Sequence, residues 1–213
     1  TMKNHSREKT AYIMDKNTDM TAFFGSLPFE MTDAQISDVI NDMSTDSPMN
    51  RLLQGDVGSG KTAVAAAACY FACQNGFQSA LMAPTEILAV QHYNTLKSFL
   101  EPIGVNVVLL TGSMTAKQKR IAKEALKSGE AAVAAGTHAI IQKDVEFQRL
   151  GLVITDEQHR FGVAQRAALA DKGNSPHRLV MSATPIPRTL ALIIYGDLDI
   201  SIINQMPKGR LPV

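Results

Sequence analysis

The stretch that decides the fold is "QGDVGSGKTA" at residues 54–63, which places three glycines, a lysine and a threonine between an apolar run and an alanine-rich run. Glycine at this density disfavours both helix and strand, so a loop is expected. Residues 55–62 match the pattern G-x-x-x-x-G-K-[ST] at every position, and in this pattern backbone N–H groups surround phosphate oxygens where a helix begins. The stretch therefore predicts a phosphate-binding loop, with a glycine-rich turn that merely starts a helix as the alternative.

The side chains of this loop have expected roles. Lys61 is expected to contact the β and γ phosphates of a nucleotide, and the hydroxyl of Thr62 to coordinate Mg²⁺. The predicted nucleotide-binding residues of the loop are Gly55, Asp56, Val57, Gly58, Ser59, Gly60, Lys61 and Thr62.

The composition limits the classes of function. Among 213 residues, 21 are Lys or Arg and 20 are Asp or Glu, so bulk charge does not support nucleic-acid binding and local residues must carry any such claim. No apolar run approaches the roughly 20 residues of a membrane span, and the first thirty residues lack the apolar core of a signal peptide. Cys69 and Cys73 are interpreted as small buried residues in a reducing compartment, which predicts a cytoplasmic protein without a membrane partner.

Apolar runs alternate with amphipathic runs along the chain, which predicts an α/β fold with a mainly parallel central sheet covered on both faces. The predicted strands are 51–54, 79–83, 106–111, 131–135, 151–155 and 178–182. The predicted helices are 32–42, 61–74, 86–100, 115–127, 163–170 and 187–195. A single domain over 27–201 is expected, after a poorly defined segment 1–26 and before a linker 202–213. The first and last residues suggest a longer protein cut at a linker.

Polar or small residues follow every predicted strand, and ligands of parallel sheets gather at the carboxyl ends of strands. After "LVIT" come Asp156, a candidate Mg²⁺ ligand, and Glu157, a candidate general base for an attacking water. The alternative is that these acids only cap the end of a strand. Together with the phosphate loop, they predict a nucleotide hydrolase.

The chain resembles the superfamily 2 helicases, and more narrowly the RecG-type ATP-dependent DNA helicases. The stretches that carry this resemblance are "LPFEMTDAQ" (27–35), "GDVGSGKT" (55–62), "APTEILAVQH" (83–92), "LLTGS" (109–113), "GTHAII" (136–141), "DEQHRFGVAQR" (156–166) and "MSATPIPRTLAL" (181–192). It implies a three-layer RecA-like P-loop NTPase domain that uses ATP and Mg²⁺. The transcription–repair coupling translocase is similar over much of this pattern, but a second acid is expected there in place of Gln158.

The resemblance also implies roles for individual residues. Gln35 would read the adenine edge, and His159 would link the catalytic residues Lys61, Asp156 and Glu157 to a coupling motif. That motif is Ser182, Ala183 and Thr184. The implied DNA-binding residues are Pro84, Thr85, Glu86, Thr111, Gly112, Gly136, Thr137 and His138. Gln91 and His92 are interpreted as structural, with assistance in binding a DNA phosphate as the alternative, and the basic residues of 117–127 are interpreted as a solvated helix face.

The function implied is the first motor domain of a helicase that couples ATP hydrolysis to remodelling of branched or forked DNA in repair and recombination. The expected partners are DNA and, in the same full-length chain, a second RecA-like domain and a wedge domain. Because the second domain would complete the cleft and supply an arginine finger, the chain alone is expected to bind ATP or ADP weakly and to hydrolyse ATP poorly. A P-loop phosphotransferase and a nucleotide-dependent binding module remain alternatives.

Overall fold

The computed structural model describes residues 12–31, 33–56, 58–156, 163–195 and 198–203. Its strands form one parallel sheet in the order β3-β4-β2-β5-β6-β1-β7. They are β1 (Asn50–Gln54), β2 (Gln78–Met82), β3 (Val107–Leu110), β4 (Val133–Gly136), β5 (Leu150–Asp156), β6 (His177–Ser182) and β7 (Asp199–Ile202). The predicted α/β fold with a parallel sheet is confirmed.

Seven α-helices of the described residues cover the sheet. They are α1 (Thr21–Ser26), α2 (Asp33–Met43), α3 (Lys61–Gln74), α4 (Glu86–Leu100), α5 (Ala116–Ser128), α6 (Val163–Ala170) and α7 (Arg188–Tyr195). Short 3-10 turns follow α4 at Glu101–Ile103 and β4 at His138–Ile141. The predicted bounds of α3 and α4 match because both begin at strong local signals, a left-handed Gly60 and the capping residue Thr85.

Side chains that alternate along each strand divide the core between the two faces of the sheet. On β2, Leu81 packs with α3 and α4, whereas Ala80 and Met82 pack on the other side with α5. The larger part of the core lies on the side of the sheet covered by α3 and α4. On that side, every residue of α3 from Ala63 to Ala72 is buried. A helix with no polar face fits only where neighbours surround it, so α3 is the central helix of the three-layer fold.

The segment before residue 27 contributes to the core on the α3 face. Met14, Met20 and Phe23 are buried there, although the sequence pattern shows no clear periodicity in this region. His177 fastens the segment to the sheet, since its Nε2 donates to the Tyr12 carbonyl at 2.7 Å and its Nδ1 accepts from Met49 N–H at 2.9 Å. The predicted domain boundary at residue 27 stays a prediction.

Strand β7 is a finding that the sequence pattern did not indicate. It pairs in parallel with β1 at the edge of the sheet and ends at Ile202, one residue into the predicted linker. Only four residues long, with Asp199 and Ile202 exposed, it lacks the continuous apolar run that marks the central strands. Arg51 of β1 anchors it by donating to Ser201 Oγ at 2.6 Å and to Asp42 of α2 at 2.6 Å.

Candidate functional site

The predicted phosphate loop connects β1 to α3. Gly58 and Gly60 have φ angles of 83° and 93°, in the left-handed region that favours glycine, and Ser59 N–H donates to the Asp56 carbonyl at 3.0 Å. Gly60 precedes α3 and has no side chain to cap the helix, so the first N–H groups of α3 face the loop without a side-chain acceptor. Val57 lies outside the described residues.

Lys61 turns back into this loop. Its Nζ donates to the carbonyl oxygens of Gly55 at 2.5 Å and Asp56 at 2.7 Å. Burial lowers the pKa of the Lys61 ammonium, while the nearby carboxylates of Asp156 and Asp56 act in the opposite direction. The partly dehydrated Lys61 ammonium is suited to an anionic ligand, because a hydrogen bond to a charged phosphate oxygen is stronger than its present hydrogen bonds to neutral carbonyl oxygens.

Close approach explains Gly55. A Cβ on this residue would lie 2.5 Å from Ser59 Oγ and 3.1 Å from the Ile203 carbonyl, so a side chain would force Ser59 and the backbone at Ile203 to shift. Ser59 Oγ is itself buried without a hydrogen-bond partner among the described residues. A buried hydroxyl of this kind is expected to have an acceptor or donor nearby, and a phosphate in the loop would supply one.

Asp156 is the last residue of β5, and it meets a residue that sequence reasoning treated as structural. His92 Nε2 lies 2.6 Å from Asp156 Oδ2, and both side chains are largely buried, with 11% and 15% of their surface exposed. The two residues are 64 positions apart, so only the fold brings them together. The signal that could have found His92 is its spacing, since Ala89, Leu96 and Leu100 form the buried face of α4 and His92 falls on the same face.

The coupling motif lies beside the phosphate loop. Gly55 N–H donates to the carbonyl of Ser182, the last residue of β6, at 3.2 Å. Ser182 Oγ donates to the Thr184 carbonyl at 3.2 Å and accepts from Thr184 N–H at 3.3 Å, which folds "SAT" into a local turn with Ala183 half-buried. The backbone of the motif therefore touches the backbone of the loop directly.

The first predicted DNA-binding group lies where α4 begins. The Thr85 hydroxyl accepts from Leu88 N–H at 3.3 Å, and Pro84 is half-buried before it. Glu86 accepts from Ser113 N–H at 2.8 Å, and hydrogen bonds from the side chain and backbone of Ser113 hold the pKa of this carboxyl below its ordinary value. A phosphate that binds the amides of the 111–113 loop would have to displace the Glu86 carboxylate.

The second group lies at the carboxyl ends of β3 and β4. Thr111 and Thr137 are only 2% and 3% exposed as whole residues, so neither their side chains nor their backbones face solvent, and a polymer would meet exposed neighbours such as Gly112 and His138 first. His138 is exposed, whereas Gly136 is buried against β3. The Thr137 hydroxyl is buried without a partner among the described residues.

Three further predicted residues stand apart. Glu157 and His159 lie outside the described residues, so their roles stay predictions. Gln35 lies in α2, and its side chain is outside the described part of the chain.

The residues around the loop fit a nucleotide with Mg²⁺. Thr62 is half-buried in the first turn of α3 and, with Asp156, offers the oxygen ligands that Mg²⁺ prefers. Among the described residues, no group of three or more His, Cys, Asp or Glu side chains could hold a metal ion by itself. Mg²⁺ typically uses one or two carboxylates together with substrate phosphates, so the donor set suits it.

Comparison with known proteins identifies this arrangement. A family model described as DEAD/DEAH box helicase matches residues 34–193. The chain belongs to the DEAD/DEAH box helicase family. In the part of this helicase chain that the structure describes, no helix is long and apolar enough to cross a membrane.

Individual relatives confirm the resemblance to RecG-type helicases. The helicase chain is 58% identical over 192 residues to the ATP-dependent DNA helicase RecG of Aquifex aeolicus, and 53% identical over 209 residues to that of Bacillus subtilis. A solved structure of RecG bound to a three-way DNA junction is similar with a TM-score of 0.76 at 50% identity, over 90% of this chain and 26% of that one. The chain covers 24% and 31% of the two curated relatives, which in turn match 88% and 96% of it.

Proposed function

We propose that this chain is the ATP-binding motor domain of a RecG-type DNA helicase, which couples ATP hydrolysis to the remodelling of branched DNA. The observation that carries the proposal is the meeting of three motifs at the carboxyl edge of the sheet. The phosphate loop touches the coupling motif through Gly55 and Ser182, and its Lys61 lies near enough to Asp156 for their charges to interact.

Each predicted site residue at the carboxyl ends of the strands has a chemical role in this function. The loop amides and Lys61 would bind the phosphates, and Gln35 the adenine. Thr62 and Asp156 would hold Mg²⁺, which when bound neutralises charge on phosphate oxygens. Glu157 would accept a proton from the attacking water, and His159 would connect this chemistry to residues 182–184.

Branched DNA is proposed as the substrate because a 50% identical relative was solved on a three-way junction. The loops after β2, β3 and β4 would contact its phosphates through backbone N–H groups. Since the relatives are three to four times as long as the matched region, the second RecA-like domain and the wedge domain are proposed to belong to the same full-length protein. The cytoplasmic location predicted from the sequence belongs to the same proposal.

Binding of a fluorescent ADP analogue in the presence of Mg²⁺ tests the nucleotide site. Lys61→Ala is expected to weaken binding about 10- to 100-fold, because a charge-assisted hydrogen bond contributes about 1.5–3 kcal/mol. Lys117→Ala is the matched control, since it removes the same charge from an exposed position of α5. Equal losses in the two variants would contradict the assigned role of Lys61.

ATP hydrolysis by the longer protein, assayed with forked, duplex and single-stranded DNA, tests the motor function. DNA is expected to stimulate turnover, and Glu157→Gln to keep nucleotide binding while losing turnover. Equal rates with and without every DNA would contradict the helicase function. The 213-residue chain alone is expected to turn over slowly, because an arginine finger contributes about 10³- to 10⁵-fold in rate.

A further inference from the structure

The Asp156 carboxylate has a neighbour with no role in the proposed function so far. His92 Nε2 lies 2.6 Å from Asp156 Oδ2. A carboxylate oxygen can only accept, so Nε2 carries the hydrogen and donates. Within the described residues, His92 is the side chain that hydrogen-bonds Asp156, while Lys61 acts on it by charge alone.

The helix that carries His92 is firmly held. Ala89 and Leu96, which flank His92 on the same face of α4, are fully buried against the sheet, and Leu100 continues that face. The imidazole therefore projects from a fixed backbone and has little freedom to follow the carboxylate. Among the described residues, the side-chain hydrogen bond to Asp156 engages Oδ2 and not Oδ1, which leaves Oδ1 to face a cation or water bound to one.

We infer that His92 is a positioning residue that holds the Asp156 carboxylate in the orientation in which it supports Mg²⁺-dependent nucleotide binding. The inference rests on the proposed nucleotide site. Hydrogen-bond partners of metal ligands commonly contribute about 10- to 100-fold in metal affinity, because an unrestrained ligand must be ordered when the metal binds. An effect of about 10-fold on the Mg²⁺ requirement is expected here.

The experiment titrates Mg²⁺ into the full 213-residue chain with a fluorescent ADP analogue, and repeats the binding in EDTA. His92→Leu and His92→Asn are both expected to raise the Mg²⁺ concentration at half-maximal effect about 10-fold. Affinity in EDTA should stay within about 2-fold, since the loop and Lys61 are untouched. The Asn variant keeps a polar side chain but is too short to reach Asp156, so it remains informative if the Leu variant does not fold.

His92→Gln supplies the rescue variant. The Nε2 of glutamine is separated from Cα by the same number of bonds as the Nε2 of histidine, so it can donate to Asp156 without carrying a charge. It is expected to bring the Mg²⁺ requirement back to within about 3-fold of the wild type. Asn94→Ala, at an exposed position of the same helix, is the matched control and should leave the requirement unchanged.

The outcomes separate this inference from the proposed function. Wild-type chain that fails to bind the analogue with Mg²⁺ would contradict the proposed function, and with it the basis of the inference. Wild-type chain that binds with Mg²⁺, while the Leu and Asn variants show the same Mg²⁺ dependence, would overturn the inference alone. If the His92 variants lose affinity for the analogue equally with Mg²⁺ and in EDTA, the inference is also overturned, because such a loss indicates a purely structural role for His92.

Discussion

Replacing Gly136 with alanine is expected to destabilise the fold strongly, although the residue was singled out for DNA binding. Gly136 ends β4, and a Cβ there would lie 2.0 Å from the Leu110 carbonyl oxygen and 3.0 Å from two carbon atoms of Ile140. Ordinary van der Waals contact begins near 3.4 Å, so the obstacle must move by more than 1 Å. That obstacle is the backbone of β3, which no rotamer change can relieve.

The magnitude follows from two costs. Overpacking of a filled core costs about 1–3 kcal/mol, and a rigid backbone obstacle belongs at the upper end. Thr137 N–H donates to the same Leu110 carbonyl at 3.2 Å, and losing that hydrogen bond adds about 1 kcal/mol. A loss of about 3–4 kcal/mol is a large share of the roughly 5–15 kcal/mol of a typical domain.

Urea unfolding followed by circular dichroism measures the loss. Gly25→Ala is the matched control, because a Cβ at Gly25 in α1 meets nothing within 4 Å and alanine favours a helix. The control should be neutral or slightly stabilising, while Gly136→Ala should lower the urea midpoint with little change in slope. If the free energy of unfolding of the Gly136→Ala variant lies within about 1 kcal/mol of the wild-type value, the inference that β3 approaches Gly136 this closely is falsified.

Two further substitutions test separate features. Glu86→Gln keeps an oxygen that can accept from Ser113 N–H but removes the charge, so DNA affinity in a fluorescence anisotropy assay is expected to rise about 3-fold, as anionic competition with phosphate is removed. Glu124→Gln, on the exposed face of α5, is the control, and equal gains in both would point to bulk charge instead. His177 is held neutral, because burial lowers its pKa below 6.5 and Met49 N–H already donates to its Nδ1. In the unfolded chain His177 takes up a second ring proton near pH 6.5, whereas in the folded chain it stays neutral to lower pH. The free energy of unfolding therefore has its full value above pH 6.5 and declines below it by at most about 1.4 kcal/mol per pH unit. His177→Gln should flatten the fall in the free energy of unfolding between pH 7 and pH 5, and parallel curves for the two proteins would contradict this reasoning.

The elements that the sequence predicts well are those with local physical causes. The phosphate loop follows from glycine spacing, and α3 and α4 from the residues that begin them. The buried parallel strands follow from uninterrupted apolar runs such as "GLVIT". Each of these signals lies within about fifteen residues, so the rest of the fold is not needed to interpret it.

The features that the sequence did not indicate depend on distant neighbours. Met14, Met20 and Phe23 lie in short apolar stretches without clear periodicity, and their burial depends on α3 and α4 packing over them. Strand β7 exists because β1 offers it an edge. His92 received a structural interpretation because its contact with Asp156 spans 64 positions. A single sequence carries no record of such contacts.

The strand order also sets when the site can form during synthesis. β1 has only β6 and β7 as neighbours in the sheet, and Met49, just before β1, meets His177 across 128 residues of chain. At roughly 5–20 residues per second, a ribosome needs about 6 to 26 s to make that interval. During that time β2 to β5 can pair with one another, whereas β1 and the glycine-rich loop that follows it have no neighbouring strand to pair with. A nascent chain should therefore acquire nucleotide binding only after residue 182 has left the exit tunnel.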